Sequence, residues 1–282
     1  AAAAAAGPAA AAARLRRCRA SQGLGALLGQ DWVPVWQGLD RLSSARTVRV
    51  TVPDFSVSNR TTSSSTWRMS LMPPHIRGSR VSDDAMRFIA DRIRARGTPH
   101  CNPVFQAAVN AVVESHPGKH LSLVDVGAHL GDCCLWAVAR WGRERTRCLA
   151  FEANAEAAAA TRRSAALGGL QGAVEVHTGL VGGAAPGGCP AAAAAQPLDC
   201  LLEPLNFADV VKIHVDRARE LYILQGFLAS LRAGKVGVCL VRTTVLPTAA
   251  VEAFVKEHKL QYKVRVARRG LDTVLHLLGS GG

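Results

Sequence analysis

The sequence predicts an α/β fold: a mostly parallel seven-stranded sheet with helices on both faces and an antiparallel edge strand. Three observations carry that expectation. From residue 121 onward, short apolar runs rich in Val, Leu and Ile alternate with helical patterns, as β-α-β units require. The first of these runs, Leu121 to Val126, feeds directly into two glycines four apart, Gly127 and Gly131, before a helix-forming segment. At the far end, strand patterns at 262–266 and 273–277 are separated by a turn at Arg269-Gly270. That link is too short for a parallel crossover, so the two strands pair antiparallel.

The elements follow in order. Residues 1–45 form a low-complexity Ala/Arg-rich segment, with Arg14, Arg16, Arg17 and Arg19 and no acid before Asp31. Organelle transit sequences share this composition, and so do translated GC-rich extensions. Residues 46–118 read as an N-terminal extension with helices. The alternating run 47–52 predicts a strand, and 56–65 a polar Ser/Thr loop. Ser82-Asp83-Asp84 predicts the start of a helix reaching Arg94, with Met86, Ile89, Ala90 and Ile93 at three-four spacing. Asn102-Pro103 predicts the next, with Asn as N-cap and Pro in the first turn, ending before Pro117-Gly118. The two helices are expected to pack beside the site or roof it.

The third region, 119–282, holds strands expected at 121–126, 146–151, 174–177, 210–215, 236–241, 262–266 and 273–277. Helices are expected at 132–141, 155–167, 218–231 and 247–258. Residues 182–197 are too rich in Gly, Ala and Pro for an assignment. The set amounts to a class I methyltransferase (Rossmann-like) architecture.

Composition narrows the function classes. The chain has 282 residues, 49% hydrophobic and 5% aromatic, so Ala, Leu and Val must fill the core. No segment approaches the roughly 20 apolar residues of a bilayer span. The expectation is a soluble intracellular protein, cytoplasmic unless the N-terminus directs it to an organelle. The formal net charge of +13 comes mostly from Arg. Without an aromatic-interleaved basic motif it reads as coding bias, and no specific nucleic-acid binding is expected. Eight cysteines occur without a C-x-x-C, which reads as reduced, buried thiols and no disulfide framework. His116 and His120 flank Pro117-Gly118, which breaks any helix, so no metal site is expected. The sequon at Asn59-Arg60-Thr61 reads as chance in the absence of a secretory signal.

The spacing also selects a ligand. Dinucleotide sites use G-x-G-x-x-G, whose middle glycine lets the backbone touch a pyrophosphate. Here that position is His129, which disfavours a nicotinamide oxidoreductase and favours an adenosine without phosphate, namely S-adenosyl-L-methionine. Asp125 is expected to face its ammonium directly or through water. Gly127, Ala128, His129 and Gly131 form the turn around it. Glu152, at the end of the second strand, is expected to bond the ribose hydroxyls. Ala153 and Thr178 border the nucleoside.

Four blocks in order resemble the FkbM-type methyltransferase family: VDVGAHLGD (124–132), AFEANAE (150–156), PLDCLLE (197–203) and DVVKIHVDRARELYILQG (209–226). Family members read like D-V-G-A-N-x-G, A-F-E-P-N, T-L-D and D-x-I-K-I-D-V-E-G-x-E. The resemblance implies O-methylation, dependent on S-adenosylmethionine, of a hydroxyl on a small-molecule acceptor such as a sugar or natural product. This chain departs from the pattern at His129 for Asn, Ala153 for Pro, His214 for an acid, Asp216 for Glu and Arg217 for Gly. His214 is expected as the catalytic base, with Asp216 orienting it or holding substrate. Lys212 reads as a strand residue with a snorkelling ammonium or an ion-pair partner, and Glu220 as a solvated helix face. The altered edge leaves an alternative, a degenerate, non-catalytic binding or scaffolding domain.

Overall fold

A computed structural model describes residues 47–52, 65–70, 101–183, 189, 195–202, 205–215, 219–243, 246–267 and 272–277. The expected helix at 82–94, the sequon at Asn59 and the catalytic candidate Asp216 lie outside these residues.

The chain enters through β1 (Thr47–Val52) and β2 (Ser65–Ser70), an antiparallel pair in register Thr47↔Ser70 to Val52↔Ser65. β1 is where the alternation predicts it. β2 was not legible, because its only apolar residues are Trp67 and Met69, too brief a period to stand out. Helix α1 (Pro103–Ser115) starts as expected: the Asn102 side chain accepts from the Val104 amide at 2.8 Å and Pro103 occupies the first turn. Its buried face is Phe105, Val109 and Val113.

The main body follows as β3 (Leu121–Val126), α2 (Asp132–Trp141), β4 (Thr146–Glu152), α3 (Ala155–Leu167) and β5 (Val174–Thr178). Next come the two-residue strands β6 (Leu180–Val181) and β7 (Ala195–Gln196), then α4 (Leu198–Leu201) and β8 (Ala208–Ile213). The chain closes with α5 (Glu220–Gln225), α6 (Leu228–Arg232), β9 (Val236–Arg242), α7 (Thr248–Glu257), β10 (Tyr262–Ala267) and β11 (Asp272–Leu277). The sheet has seven strands in the order β10-β11-β9-β8-β3-β4-β5. β11 runs antiparallel to both β9 and β10, and the remaining pairings are parallel. This is the class I methyltransferase fold, with the edge reversal that the short final turn predicts.

Strand alternation splits the core into two layers. One face carries Leu121, Leu123, Cys148, Ala150, Val210 and Leu240 and is covered by α1 and α2. The other carries Val124, Val126, Phe151, Val211, Ile213 and Val241 and packs on Leu198, Leu224, Phe227 and Val251. Apolar runs buried on both faces are the reason these strands lack a polar stripe.

Two expectations are corrected here. The helix predicted over 218–231 is two short helices, α5 and α6. At the break, Gly226 packs so tightly that a Cβ there would run into the Gly183 carbonyl oxygen. Asp199 then accepts from the amides of Ala229 and Ser230, both at 2.8 Å, and so starts α6 afresh. The second correction concerns the thiols. Cys101–Cys133, Cys134–Cys148 and Cys189–Cys200 are disulfides, and among the described cysteines only Cys239 is free, buried in the core. The first two pairings were invisible in the sequence because they depend on α2 docking between the start of α1 and β4; the third joins a loop cysteine to α4.

Candidate functional site

Strand parity builds the site. Register pairs Asp125 with Lys212 across β3–β8 and Glu152 with Thr178 across β4–β5. One residue beyond the Ile213↔Val241 pair, His214 meets Arg242. All six therefore share the face that carries α2, and all stand toward the carboxyl ends of their strands, where this sheet type receives ligands.

The turn between β3 and α2 is held in left-handed backbone at three residues: Gly127 (φ 75°), His129 (φ 55°) and Gly131 (φ 69°). Both glycines are required by space as well. A Cβ at 127 would run into the His214 carbonyl oxygen, and one at 131 into the Thr161 Cγ2. The amides of Gly127 and Ala128 both donate to the Phe151 carbonyl, at 2.9 and 3.1 Å. Ala128 is buried, so its part in the site is backbone shape. His129 donates its amide to Glu152 Oε2 at 2.7 Å, and its carbonyl accepts from Thr161 Oγ1 at 3.0 Å. His129 is thus the pivot that ties the turn to β4 and α3.

Glu152 accepts a second amide, from Asn154 to Oε1 at 2.7 Å. Burial pushes its carboxyl up, while the amides of Asn154 and His129 hold it down. One donor on each oxygen leaves further lone pairs for ligand hydroxyls. Ala153, between the two amide-bound residues, is exposed. Thr178 Oγ1 accepts from Arg162 Nη2 at 2.8 Å.

Deeper in the sheet, Asp125 is fully buried and forms an ion pair with Lys212, Nζ to Oδ1 at 2.5 Å. Its other oxygen, Oδ2, has no partner among the described residues. Lys212 is buried rather than snorkelling, which makes the ion-pair reading the correct one. Asp132, the first residue of α2, belongs to the same cluster. Burial pushes its carboxyl up to about 7; Lys212 works against that and Asp125 adds to it. In the sequence alone Asp132 looks like an ordinary helix start. Its position directly after Gly131 was the available signal.

His214 sits half-buried just past β8, with its amide donating to the Val126 carbonyl at 2.9 Å. Its Nε2 contacts Arg242 Nη1. A guanidinium has no acceptor, so Nε2 accepts and its lone pair is engaged. Arg242 was missed because nothing in a single strand run announces its register with His214. Glu220 is corrected as well: it is 2% exposed at the start of α5, not on a solvated face. The Pro197-Leu198-Asp199 block is structural, since Leu198 is buried and Asp199 starts α6. Among the described residues, no cluster of three or more His, Cys, Asp or Glu side chains could hold a metal ion. No helix among them is long and apolar enough to cross a membrane.

No protein-family model matches the chain, and no curated protein matches it. Among solved structures, it is similar to the METTL16 methyltransferase domain, at 12% identity over 67% of this chain and 77% of that one (TM-score 0.47). It is also similar to precorrin-6y C5,15-methyltransferase from Geobacter metallireducens, at 16% identity over 61% and 86% (TM-score 0.42). A third is M. capricolum TrmK in complex with S-adenosyl-homocysteine, at 11% identity over 62% and 67% (TM-score 0.40). The fold assignment rests on strand order and direction, which are intrinsic to this chain.

Proposed function

We propose that the chain binds S-adenosyl-L-methionine across the tips of β3 and β4 and directs methylation of a hydroxyl on a small molecule, a sugar or natural product. The observation that carries this reading is the Glu152 carboxylate. It is fixed by amides from the two flanking turns, His129 after β3 and Asn154 after β4, and keeps lone pairs for a ribose. The residues fit the cofactor in a second respect: Asp125 Oδ2 is a buried acceptor without a partner among the described residues, suited to an ammonium or its bridging water. Gly127, Ala128, His129 and Gly131 supply the turn, and Ala153 and Thr178 border the nucleoside.

When bound, the cofactor supplies an electrophilic methyl group. The chain's part is to hold the acceptor hydroxyl in line and take its proton; positioning supplies much of the acceleration, and a base adds about 10²–10⁴-fold. His214 is the base in this reading, with Asp216 orienting it or holding substrate. For that role the guanidinium of Arg242 must release Nε2, and an arriving acceptor is the group to draw it away. The same contact favours a second reading, a non-catalytic binding domain in which Arg242 keeps the imidazole permanently engaged. The three disulfides support an oxidising compartment in place of the reducing cytosol expected from the sequence.

Calorimetric titration with S-adenosylmethionine, S-adenosylhomocysteine and NAD tests the proposal. Binding of the first two without NAD is expected; binding of NAD alone ends it. Turnover on a panel of hydroxyl acceptors separates the enzyme from the binding domain.

A further inference from the structure

His214 and Arg242 end two neighbouring strands on the site face, and the guanidinium Nη1 lies against the imidazole Nε2. Both side chains are half-buried. A guanidinium only donates, so the imidazole is neutral, with its proton on Nδ1 and its Nε2 lone pair turned to a cation. An imidazole nitrogen accepts one hydrogen bond from that fork. A carboxylate accepts two in parallel and adds the attraction of opposite charges, so it outcompetes the ring for the same guanidinium.

The other cations of this face are placed differently. Lys212 is buried and paired with Asp125 at 2.5 Å. Arg265 is exposed on β10, in register through Val274 with Leu240, which lies two residues back from Arg242. Arg242 is the cation that touches the proposed base, and its register partner across β9–β11 is Asp272. Contact between Nη1 and Nε2 also narrows the ligand. One molecule that engages both groups must carry its anionic oxygens and its hydroxyl on neighbouring atoms. An acid with a hydroxyl on the carbon next to its carboxylate does so, whereas a phosphate monoester beside a hydroxyl sets the two further apart.

We infer that the acceptor is a 2-hydroxy carboxylic acid, whose carboxylate takes the Arg242 guanidinium from His214 and thereby uncovers the base. The inference rests on the function proposed above and names its acceptor class. In the transfer, the hydroxyl oxygen bonds to the methyl carbon as the C–S bond breaks. The electron pair of that bond stays on sulfur, and the hydroxyl proton passes to Nε2. Arg242 holds the carboxylate and does not react. A neutral alcohol brings no group to draw the guanidinium away, so it leaves the lone pair engaged.

The test is calorimetric titration of the full chain, with and without S-adenosylhomocysteine, using mandelate and 1-phenylethane-1,2-diol, which keeps the hydroxyl without the charge. Lactate against propane-1,2-diol repeats the comparison without the ring. A hydrogen bond between charged groups corresponds to about 10- to 100-fold in affinity, and each acid is expected to bind more tightly than its diol by that factor. The acid and not the diol should shift the ring signals of His214 in NMR spectra, where they are assigned by their absence from His214→Gln. Arg242→Gln should abolish the preference, with far-UV dichroism confirming its fold, and Arg242→Lys should keep part of it. Asp272→Asn, which removes the acid in register with Arg242, should bind the acids at least as tightly as the parent. No preference in either pair, a preference that survives Arg242→Gln, or unmoved His214 signals overturn the inference and leave the cofactor reading standing. Failure of the parent chain to bind S-adenosylhomocysteine overturns both, and the parent titration alone tells that outcome apart.

Discussion

The carboxyl of Asp132 sets a sharp prediction about pH. In the unfolded chain it ionises near 3.8; in the fold, burial pushes it up to about 7. Between those values the folded protein holds a proton that the unfolded chain has released. The unfolding free energy therefore falls as pH rises through this window, and the contribution is lost once the folded group ionises. Three units at about 1.36 kcal/mol each amount to about 4 kcal/mol between pH 4 and pH 8. Asp132 is 9% exposed, so solvent screening removes little of this. Asn at 132 has nearly the same shape and no titration. Asp132→Asn should then match the parent at pH 4 and exceed it by about 4 kcal/mol at pH 8. Urea unfolding across that range, followed by the fluorescence of Trp136 and Trp141 on the same helix, measures the difference directly. Parallel pH profiles for the two proteins, or a variant less stable at pH 8, would refute the assignment of a buried, proton-holding Asp132.

Four further outcomes are expected. Glu152→Ala should weaken S-adenosylhomocysteine binding by about 1.5–3 kcal/mol, as for a lost charged hydrogen bond, and an unchanged dissociation constant removes the ribose role. His214→Ala should lower turnover of an active preparation while leaving that dissociation constant alone; full activity rules the base out. Gly131→Ala should destabilise more than Gly172→Ala, because both have positive φ but only Gly131 also meets Thr161 Cγ2. Thr161→Ser, which deletes that methyl and keeps the hydroxyl bonded to His129, should rescue Gly131→Ala in thermal melts, and no rescue counts against the packing argument. Cys134→Ser/Cys148→Ser should lower stability by about 3 kcal/mol for a closed loop of 14 residues, and mass spectrometry of the non-reduced parent should find both thiols blocked.

The parts of this fold that could be read in the sequence are those governed by local physics. Helices α2 and α3 begin and end where their caps and glycines say, and the β3 turn follows from Gly127 and Gly131. The place of Glu152 at a strand tip was readable because the apolar run 146–151 ends there. What escaped was set by register and docking. The sequence around 242 shows only an apolar strand ending in Arg. Its meeting with His214 depends on β8 and β9 pairing Ile213 with Val241. Two of the disulfides, Cys101–Cys133 and Cys134–Cys148, need α2 seated between α1 and β4, and the break after Gln225 needs the Gly183 carbonyl against Gly226.

The altered residues of the resemblance then make physical sense together. In left-handed backbone Asn and His are both tolerated, so His129 keeps the turn and still presents its amide to Glu152. Beside β8, an acid replaced by His214 removes one negative charge next to Arg242. The buried Asp125–Lys212 pair, one residue pair deeper on the same face, is balanced on its own, and burial raises the Asp132 carboxyl to about 7, so below neutral pH it adds little further buried negative charge. The β3–β4 end of the proposed site is thus electrostatically self-contained, while the β8–β9 end is more basic than the pattern it resembles. Under the proposed function, that division predicts where the chain departs from the family pattern it resembles: in what it would bind beyond β8 and β9, and not in the adenosine site proposed between β3 and β4.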